Sequence, residues 1–181
     1  MKAGGNEKSG GSLIRLLIVS STVLLLDQAT KLIIYYGLPL YGEIVVVPGF
    51  FSIVHYHNPG GAFGIFASAG DGFRHVFFLV VSTLALGLVF YFYRSTPKTH
   101  RFLSTGFALI FGGAVGNLSD RFRLGEVIDF LDVYVNGWHW PAFNVADSAI
   151  SVGIGIFIFH LLFVKMPDEI IGKGPKEKKT H

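Results

Sequence analysis

The chain has 181 residues, of which 51% are hydrophobic and 15% are charged, and its formal net charge is +3. Because soluble domains carry about 25% charged residues, this composition predicts a membrane protein. The chain contains no cysteine, which excludes disulfides, zinc–thiolate sites and thiol catalysis. The basic residues cluster where membrane topology explains them, so we expect no nucleic-acid partner.

Four apolar stretches are each long enough to cross about 30 Å of hydrocarbon, which takes a helix of roughly 17–25 residues. The first is too long for a secretory signal, and no A-x-A-like cleavage site follows it, so we expect a retained helix. The predicted spans are Leu13–Tyr36, Phe73–Tyr93, Phe102–Leu118 and Phe143–Lys165.

Lysines and arginines near the span ends predict the orientation, since short cytoplasmic loops carry an excess of them. They occur in the N-terminal segment, in the loop after the second span and in the C-terminal tail. Both termini are therefore predicted to be cytoplasmic, with a disordered segment 1–12 and a basic tail 166–181 flanking a single membrane domain, 13–165. The residues concerned are Lys2, Lys8, Arg15, Arg94, Lys98, Arg101, Lys165, Lys173, Lys176, Lys178 and Lys179.

The first outer segment, about 37–72, has the composition of strands. In Glu43–Asn58, runs of β-branched and aromatic residues flank Pro48-Gly49, which predicts a hairpin or small sheet on the membrane surface. We expect this β segment to cover about 43–65.

The second outer segment, about 119–142, is predicted to contain a short surface helix. It lies between Val127 and Pro141, with Trp138, His139 and Trp140 at interface depth. The predicted fold class is a membrane all-α protein, a four-transmembrane-helix bundle with a small extracytoplasmic β-sheet and a short surface helix.

The stretch DQATK places Asp27 and Lys31 four residues apart, on one face of the first span. We interpret the pair as a salt bridge that ties this helix to the bundle. Gln28 can join it by hydrogen bonding.

The stretch HNPGGAFG combines the amide of Asn58 with Gly60, Gly61 and Gly64. Glycine permits close backbone approach and positive φ angles. Two interpretations stay open: a tight re-entrant turn, or a strand whose exposed backbone hydrogen-bonds to a peptide substrate.

The stretch GGAVGNLSDR ends the third span. Gly112 and Gly116 form a small-xxx-small pattern, which favours close helix packing. Asn117, Asp120 and Arg121 are predicted to end the helix at the outer surface. We expect Asp120 and Arg121 to form ion pairs, whereas the amide of Asn117 must find hydrogen-bond partners at that depth.

The stretches GEVIDF and FNVADSAI contribute Asp129, just outside the third span, and Asn144 and Asp147, in the first turns of the fourth. A negative charge is less costly near a helix N-terminus. Two carboxylates held close together share a proton, and such a pair can serve as general acid and base for a water that attacks a peptide bond. Asp120 and Asp132 are alternative partners for Asp147, and a helix cap or bundle salt bridge is its alternative role.

Other chemistries fit the sequence less well. A serine–lysine pair would need Ser119 or Ser148 near Lys31, which no local motif supports. The seven histidines include no H-E-x-x-H or other metal-ligand spacing, so we expect no metal and no cofactor. A transporter or proton relay is the main rival, since intramembrane carboxylates often serve one. A non-catalytic scaffold is the second rival.

The five motifs, in this order on four spans, resemble the bacterial lipoprotein signal peptidase family, also called signal peptidase II. The resemblance implies an aspartic endopeptidase of the bacterial inner membrane that cuts diacylglyceryl-modified prolipoproteins just before the lipidated cysteine. It implies that Asp129 and Asp147 are the catalytic dyad. It further implies substrate-binding or orienting roles for Asn58, Gly60, Asn117, Arg121 and Asn144, and structural roles for Asp27, Lys31 and Asp120.

The resemblance also implies the partners of the protein. These are lipidated prolipoproteins, membrane lipids and cyclic peptide inhibitors of the globomycin type. From the topology we expect the active site at the extracytoplasmic face, and we expect a monomer. One departure is Gly61, where the family commonly has alanine. We also expect the surface sheet and the Trp138–Trp140 segment to form opposing walls of a cleft, with the second wall moving to admit substrate.

Overall fold

The structure is a computed structural model that describes residues 12–60 and 70–164. The predictions for Gly61, Gly64 and the two terminal segments fall outside the described residues. The elements in chain order are α1 (Leu13–Gly37), β1 (Glu43–Val47), β2 (Phe51–Asn58), α2 (Asp71–Ser95), α3 (Arg101–Leu124), β3 (Val127–Val135), β4 (Trp138–His139) and α4 (Val145–Phe163).

The four predicted spans are confirmed as four helices long and apolar enough to cross a membrane. Every predicted end lies within two residues of the observed one, except the end of α3, which continues to Leu124 instead of Leu118. Gly125 ends α3 in the left-handed conformation, with φ at 82°, and its N–H donates to the carbonyl of Arg121 at 3.0 Å. The predicted helix end at Asn117–Arg121 is therefore wrong: these polar residues continue the helix.

The central helix of the bundle is α3, which packs against α1, α2 and α4. Its glycines make this close packing possible. A Cβ atom at Gly112 would lie 2.8 Å from the backbone of α1, and one at Gly113 would collide with the carbonyl of Ala146 in α4. A Cβ atom at Gly116 would lie 2.6 Å from a carboxylate oxygen of Asp27. The close helix packing predicted at Gly112 and Gly116 is confirmed.

The outer face of α2 presents an apolar stripe. Val76, Val80, Leu84 and Leu88 follow one another at four-residue spacing and are between 52% and 69% exposed. Residues at this spacing share one side of a helix. Such a stripe is unfavourable in water but is solvated by lipid chains, which agrees with a membrane-spanning helix.

The four strands form one antiparallel sheet in the order β1-β2-β3-β4. The predicted turn at Pro48-Gly49 is confirmed. The N–H of Phe50 donates to the carbonyl of Val47 at 3.0 Å, and Gly49 has a φ of 77°, which glycine adopts without steric cost.

The short surface helix predicted between Val127 and Pro141 is wrong, because this segment forms the β3–β4 hairpin. Asn136 and Gly137 make the two-residue turn, and both have positive φ angles, 51° and 79°. This is the backbone conformation of a type I′ hairpin turn, for which Asn-Gly is the preferred pair.

The two predicted opposing cleft walls are also wrong, because the Trp138–Trp140 segment belongs to the same sheet as β1 and β2. Trp138 pairs with Val135, and the N–H of Trp140 donates to the carbonyl of Val133 at 2.8 Å. Both indole rings are exposed, at 86% and 70%. The segment therefore extends the sheet instead of facing it.

The sheet is tied to the start of α4 through Phe143. The backbones of Phe143 and Leu131 exchange two hydrogen bonds, at 2.8 and 3.0 Å. This bridge holds β3 beside the N-terminus of α4 and brings Asp129 and Asp147 to the same end of the bundle.

Candidate active site

Asp129 lies on β3 and is 3% exposed. Its two carboxylate oxygens accept hydrogen bonds from the side-chain amides of Asn58, at 3.0 Å, and Asn144, at 2.8 Å. Burial raises the pKa of the Asp129 carboxyl to about 6, and the negative charge of Asp147 acts in the same direction. The two amide hydrogen bonds lower that pKa and so limit the shift.

Asp147 lies in the first turn of α4. Its backbone N–H donates to the side chain of Asn144, the N-cap residue, at 2.9 Å. Its carboxylate accepts a hydrogen bond of 2.7 Å from the amide of Asn117. The positive end of the helix dipole also favours a negative charge at this position.

Asn117 and Asn144 connect the two carboxylates. The amide nitrogen of Asn144, which is bonded to Asp129, lies 3.3 Å from the side-chain oxygen of Asn117, whose own nitrogen is bonded to Asp147. A continuous path of side-chain hydrogen bonds therefore runs from one carboxylate to the other. Both asparagines are buried, at 8% and 0% exposure.

Three fixed donors determine the orientation of the asparagine amides. Lys31 donates to the oxygen of Asn117 at 2.9 Å, the N–H of Asp147 donates to that of Asn144, and the N–H of Gly60 donates to that of Asn58 at 2.9 Å. A lysine ammonium and a backbone N–H can only donate, so each must face an amide oxygen. Each amide nitrogen is therefore directed at the carboxylate of Asp129 or Asp147.

Gly60 holds Asn58 by its backbone conformation. Its φ is 89°, and a Cβ atom there would lie 2.6 Å from the ring of Phe78 in α2. Any other residue at position 60 would therefore be strained and would collide with α2. Phe78 was missed in the sequence, because one phenylalanine among many apolar residues of a span carries no distinguishing signal.

A buried ion cluster supports the site from the side of α1. The ammonium of Lys31 lies 2.9 Å from Asp27 and 2.7 Å from Asp120, and all three side chains are at most 2% exposed. Asp27 also accepts the N–H of Ala146 at 2.9 Å, and Asp120 accepts that of Ile128 at 3.4 Å. The contact predicted from the DQATK spacing is present, and it fixes the starts of α4 and β3 relative to α1.

Arg121 approaches the two carboxylates without forming a salt bridge. Its guanidinium lies 5.9 Å from the ring centre of Phe78 and donates weakly to the carbonyl of Asn117, at 3.5 Å. Its charge interacts with those of Asp147 and Asp129. The predicted ion pair of Arg121 is wrong within the described residues, and its buried Nε atom has no hydrogen-bond partner there.

The alternative partners of Asp147 lie elsewhere. Asp120 is bound to Lys31. Asp132 is three residues from Asp129 on β3, on the opposite face of the strand, and lies 2.9 Å from His139. Of the three aspartates that the sequence left open, Asp129 is the one joined to Asp147 through neutral amides alone. Asp120 reaches Asn117 through the ammonium of Lys31, which neutralises its charge.

The serine–lysine alternative finds no support in the geometry. The hydroxyl of Ser119 donates to the carbonyl of Val115 at 2.8 Å, and that of Ser148 donates to the carbonyl of Asn144 at 2.9 Å. The ammonium of Lys31 is held by two carboxylates and by Asn117. No contact joins either serine to that lysine within the described residues.

Comparison with known proteins agrees with this arrangement. The family model described as Signal peptidase (SPase) II matches residues 19–163. The chain is 52% identical over 157 residues to the lipoprotein signal peptidase of Desulforapulum autotrophicum, covering 87% of this chain and 97% of that protein. It is 48% identical over 145 residues to the lipoprotein signal peptidase of Geobacter metallireducens, covering 80% and 88%.

Solved structures share the fold. One, described as a bacterial membrane enzyme, superposes with a TM-score of 0.76 at 30% identity and covers 88% of this chain and 100% of its own. A second of the same description gives a TM-score of 0.75 at 29% identity, covering 96% and 100%. The fold expectation of four spanning helices with a small sheet is confirmed, and so is that of a multi-pass membrane peptidase. The chain belongs to the signal peptidase II family.

Proposed function

We propose that this protein removes the signal peptide from diacylglyceryl-modified prolipoproteins, cutting just before the lipidated cysteine, with Asp129 and Asp147 as its catalytic dyad. The family and the name of the relatives, lipoprotein signal peptidase, support the substrate class. One observation carries the chemistry: the two carboxylates lie in one hydrogen-bond network through Asn144 and Asn117.

In the proposed reaction the dyad holds one proton, and the pair titrates as a unit. The ionised carboxylate accepts a proton from a water as the water oxygen bonds to the carbonyl carbon of the scissile peptide. The protonated carboxyl donates its proton to the carbonyl oxygen, which stabilises the tetrahedral intermediate. Collapse of the intermediate returns a proton to the amide nitrogen, breaks the C–N bond and releases the two products.

Neutral amides suit such a dyad better than direct ion pairs. A lysine bonded to either carboxylate would favour its ionised form and empty the pair of its proton. Here Lys31 is one step removed, since it bonds to Asn117, and Asn117 bonds to Asp147. The raised pKa of Asp129, about 6, supports a dyad that retains its proton to a higher pH than carboxyls of ordinary pKa do.

We assign the substrate-binding and orienting residues from their hydrogen bonds around the dyad. Within the described part of the chain, the guanidinium of Arg121 makes one weak hydrogen bond, of 3.5 Å, so it has donors left for substrate carbonyls. Asn58, Gly60, Asn117 and Asn144 orient the dyad and shape the space around it.

We place the protein in the bacterial inner membrane, with both termini cytoplasmic and the sheet end of the bundle extracytoplasmic. A lipidated precursor keeps its signal peptide and its acyl chains in the bilayer, so its scissile bond lies near the membrane surface. A dyad at the end of a spanning helix meets that bond at the same depth. Globomycin-type cyclic peptides are proposed to occupy this site.

A proton relay is less well supported. Within the described ranges, the buried carboxylates all belong to the sheet end of the bundle: Asp27, Asp120, Asp129 and Asp132. The opposite end buries Thr96, Ser104 and His160, and no carboxylate among the residues described. A relay needs ionisable groups across the whole bilayer.

The activity is tested with the purified chain in detergent and a diacylglyceryl-modified prolipoprotein, with the products identified by mass spectrometry. The expected product begins at the lipidated cysteine. The same precursor without the diacylglyceryl group is the control and is expected to remain uncut. No cleavage, cleavage at another bond, or equal cleavage of both precursors would contradict the proposal.

A further inference from the structure

A groove between α2 and α3 lies outside the site described above. Its volume is about 510 Å³, which is within the range of small-molecule sites. We call it the α2–α3 groove; its walls include Leu79, Thr83, Val115, Leu118 and Phe122, and Arg123 lies at its end. The lining is almost entirely apolar, apart from Arg123 and two hydroxyl groups that donate to the backbone of their own helices.

The groove faces away from the candidate active site. Ser119 and Arg123 line it, whereas Asn117 and Arg121 belong to the site. Ser119 lies two positions after Asn117, and Arg123 lies two positions after Arg121. Each step of two residues rotates the side chain by about 200° around α3. A peptide bound at the dyad therefore does not occupy this groove.

Among the residues that the structure describes, Arg123 is a cation without a counter-ion. Within the described ranges it forms one side-chain hydrogen bond, of 3.1 Å, to the oxygen of Gln28, and no salt bridge. The two acidic residues nearest to Arg123 in the sequence have other partners, since Asp120 is paired with Lys31 and Glu126 lies 3.1 Å from His57. Most of the five guanidinium donors therefore remain available to an anion.

The groove and Arg123 both lie at the depth of one bilayer leaflet. Val115 and Arg123 are eight residues apart, so the groove follows α3 for about 12 Å towards the membrane surface. Arg123 is the second-last residue of the helix. It also borders a smaller cavity of about 140 Å³ whose lining includes Gln28, Tyr35 and Tyr36. These are polar side chains of the kind found at the level of lipid headgroups.

We propose that the α2–α3 groove binds one anionic phospholipid, with an acyl chain along the apolar walls and the phosphate against the guanidinium of Arg123. Arginine recognises phosphate by paired, charge-assisted hydrogen bonds, and these strengthen away from bulk water. The lipid would fill the gap between α2 and α3 on the face that the peptide substrate does not use.

The test is native mass spectrometry of the full chain in detergent, titrated with dioleoyl phosphatidylglycerol or dioleoyl phosphatidylcholine. We expect the first phosphatidylglycerol adduct to form at a lipid concentration at least about 10-fold lower than the first phosphatidylcholine adduct. The reason is that the zwitterionic headgroup of phosphatidylcholine carries its own cation. Arg123→Gln is expected to remove that preference. Arg101→Gln removes the same charge from the other end of α3 and should leave the first adduct within about 2-fold of the wild type.

Thr83→Trp tests the apolar part of the groove. Thr83 is exposed on the groove wall, so the indole fills the groove without entering the core. This variant should weaken the first phosphatidylglycerol adduct while retaining Arg123 and the fold, as judged by circular dichroism. The proposal is overturned if both lipids bind alike, if Arg123→Gln and Arg101→Gln behave alike, if Thr83→Trp binds normally, or if a prolipoprotein displaces the lipid.

Discussion

Replacement of Lys31 with methionine is the most informative perturbation of the folded bundle. The wild-type ammonium makes two ion pairs, at 2.9 and 2.7 Å, and a hydrogen bond of 2.9 Å to Asn117. Lys31→Met leaves Asp27 and Asp120, at 0% and 1% exposure, without their cation. Removing one partner of a buried ion pair costs about 3–5 kcal/mol.

A second estimate sets a ceiling on this cost. Each of the two stranded carboxylates can instead take up a proton, which at pH 7 costs about 4 kcal/mol per carboxyl of ordinary pKa, so the ceiling is about 8 kcal/mol. The range for a broken buried ion pair lies below this ceiling, so the expected loss in the free energy of unfolding at pH 7 is about 3–5 kcal/mol. At pH 5 the same protonation costs about 1.5 kcal/mol per carboxyl, so the penalty should shrink as the pH falls.

The assay is unfolding of the purified protein in mixed micelles by increasing sodium dodecyl sulfate, at pH 7 and pH 5. Lys98→Met is the matched control, since Lys98 is exposed and the same substitution there should change stability by less than about 0.5 kcal/mol. Asp27→Asn combined with Lys31→Met and Asp120→Asn should recover much of the loss, because no buried charge remains. Equal stability of Lys31→Met and Lys98→Met, or a penalty independent of pH, would refute the reasoning.

Two further predictions concern packing and pH. Gly113→Ala pushes a methyl group into the carbonyl of Ala146 and should destabilise the bundle by about 1–3 kcal/mol in the same micelle assay. Gly87→Ala is the control: a methyl group there meets open space, so its effect on stability should be neutral or slightly favourable. Equal losses of stability in the two variants would count against the packing account. We expect kcat/KM to fall as the pH rises through about 6, where the dyad loses its shared proton. Asn58→Ala removes a hydrogen bond that lowers the pKa of Asp129, so the fall in kcat/KM should move to higher pH. An unchanged or lower midpoint of the pH profile would contradict the assignment of this fall to the dyad.

The membrane helices were predictable because their signal is a property of whole segments. About twenty apolar residues in a row outweigh any local irregularity, and the ends of α1, α2 and α4 follow the composition closely. The end of α3 was missed because Asn117 and Asp120 are polar but inward-facing. Their partners, Asp147 and Lys31, come from other helices and leave no trace in the local sequence.

The β3–β4 hairpin could have been predicted. Asn136-Gly137, with a β-branched or aromatic residue on each side, is a strong hairpin signal, whereas the surface-helix prediction relied on Trp138, His139 and Trp140 at interface depth. Which aspartate accompanies Asp147 could not be read from spacing. The choice depends on which face of β3 points towards α4, and the bridge between Leu131 and Phe143 decides it.

The central claim is that Asp129 and Asp147 act together on the scissile bond, and the most direct measurement is single-turnover cleavage of a diacylglyceryl-modified prolipoprotein by asparagine variants. Asp132→Asn is the control, since it changes a buried aspartate on the opposite face of the same strand. Asp129→Asn and Asp147→Asn should each lower the rate by at least about 100-fold while remaining folded, and Asp132→Asn should stay far closer to the wild type. Near-normal cleavage by either dyad variant would contradict the account.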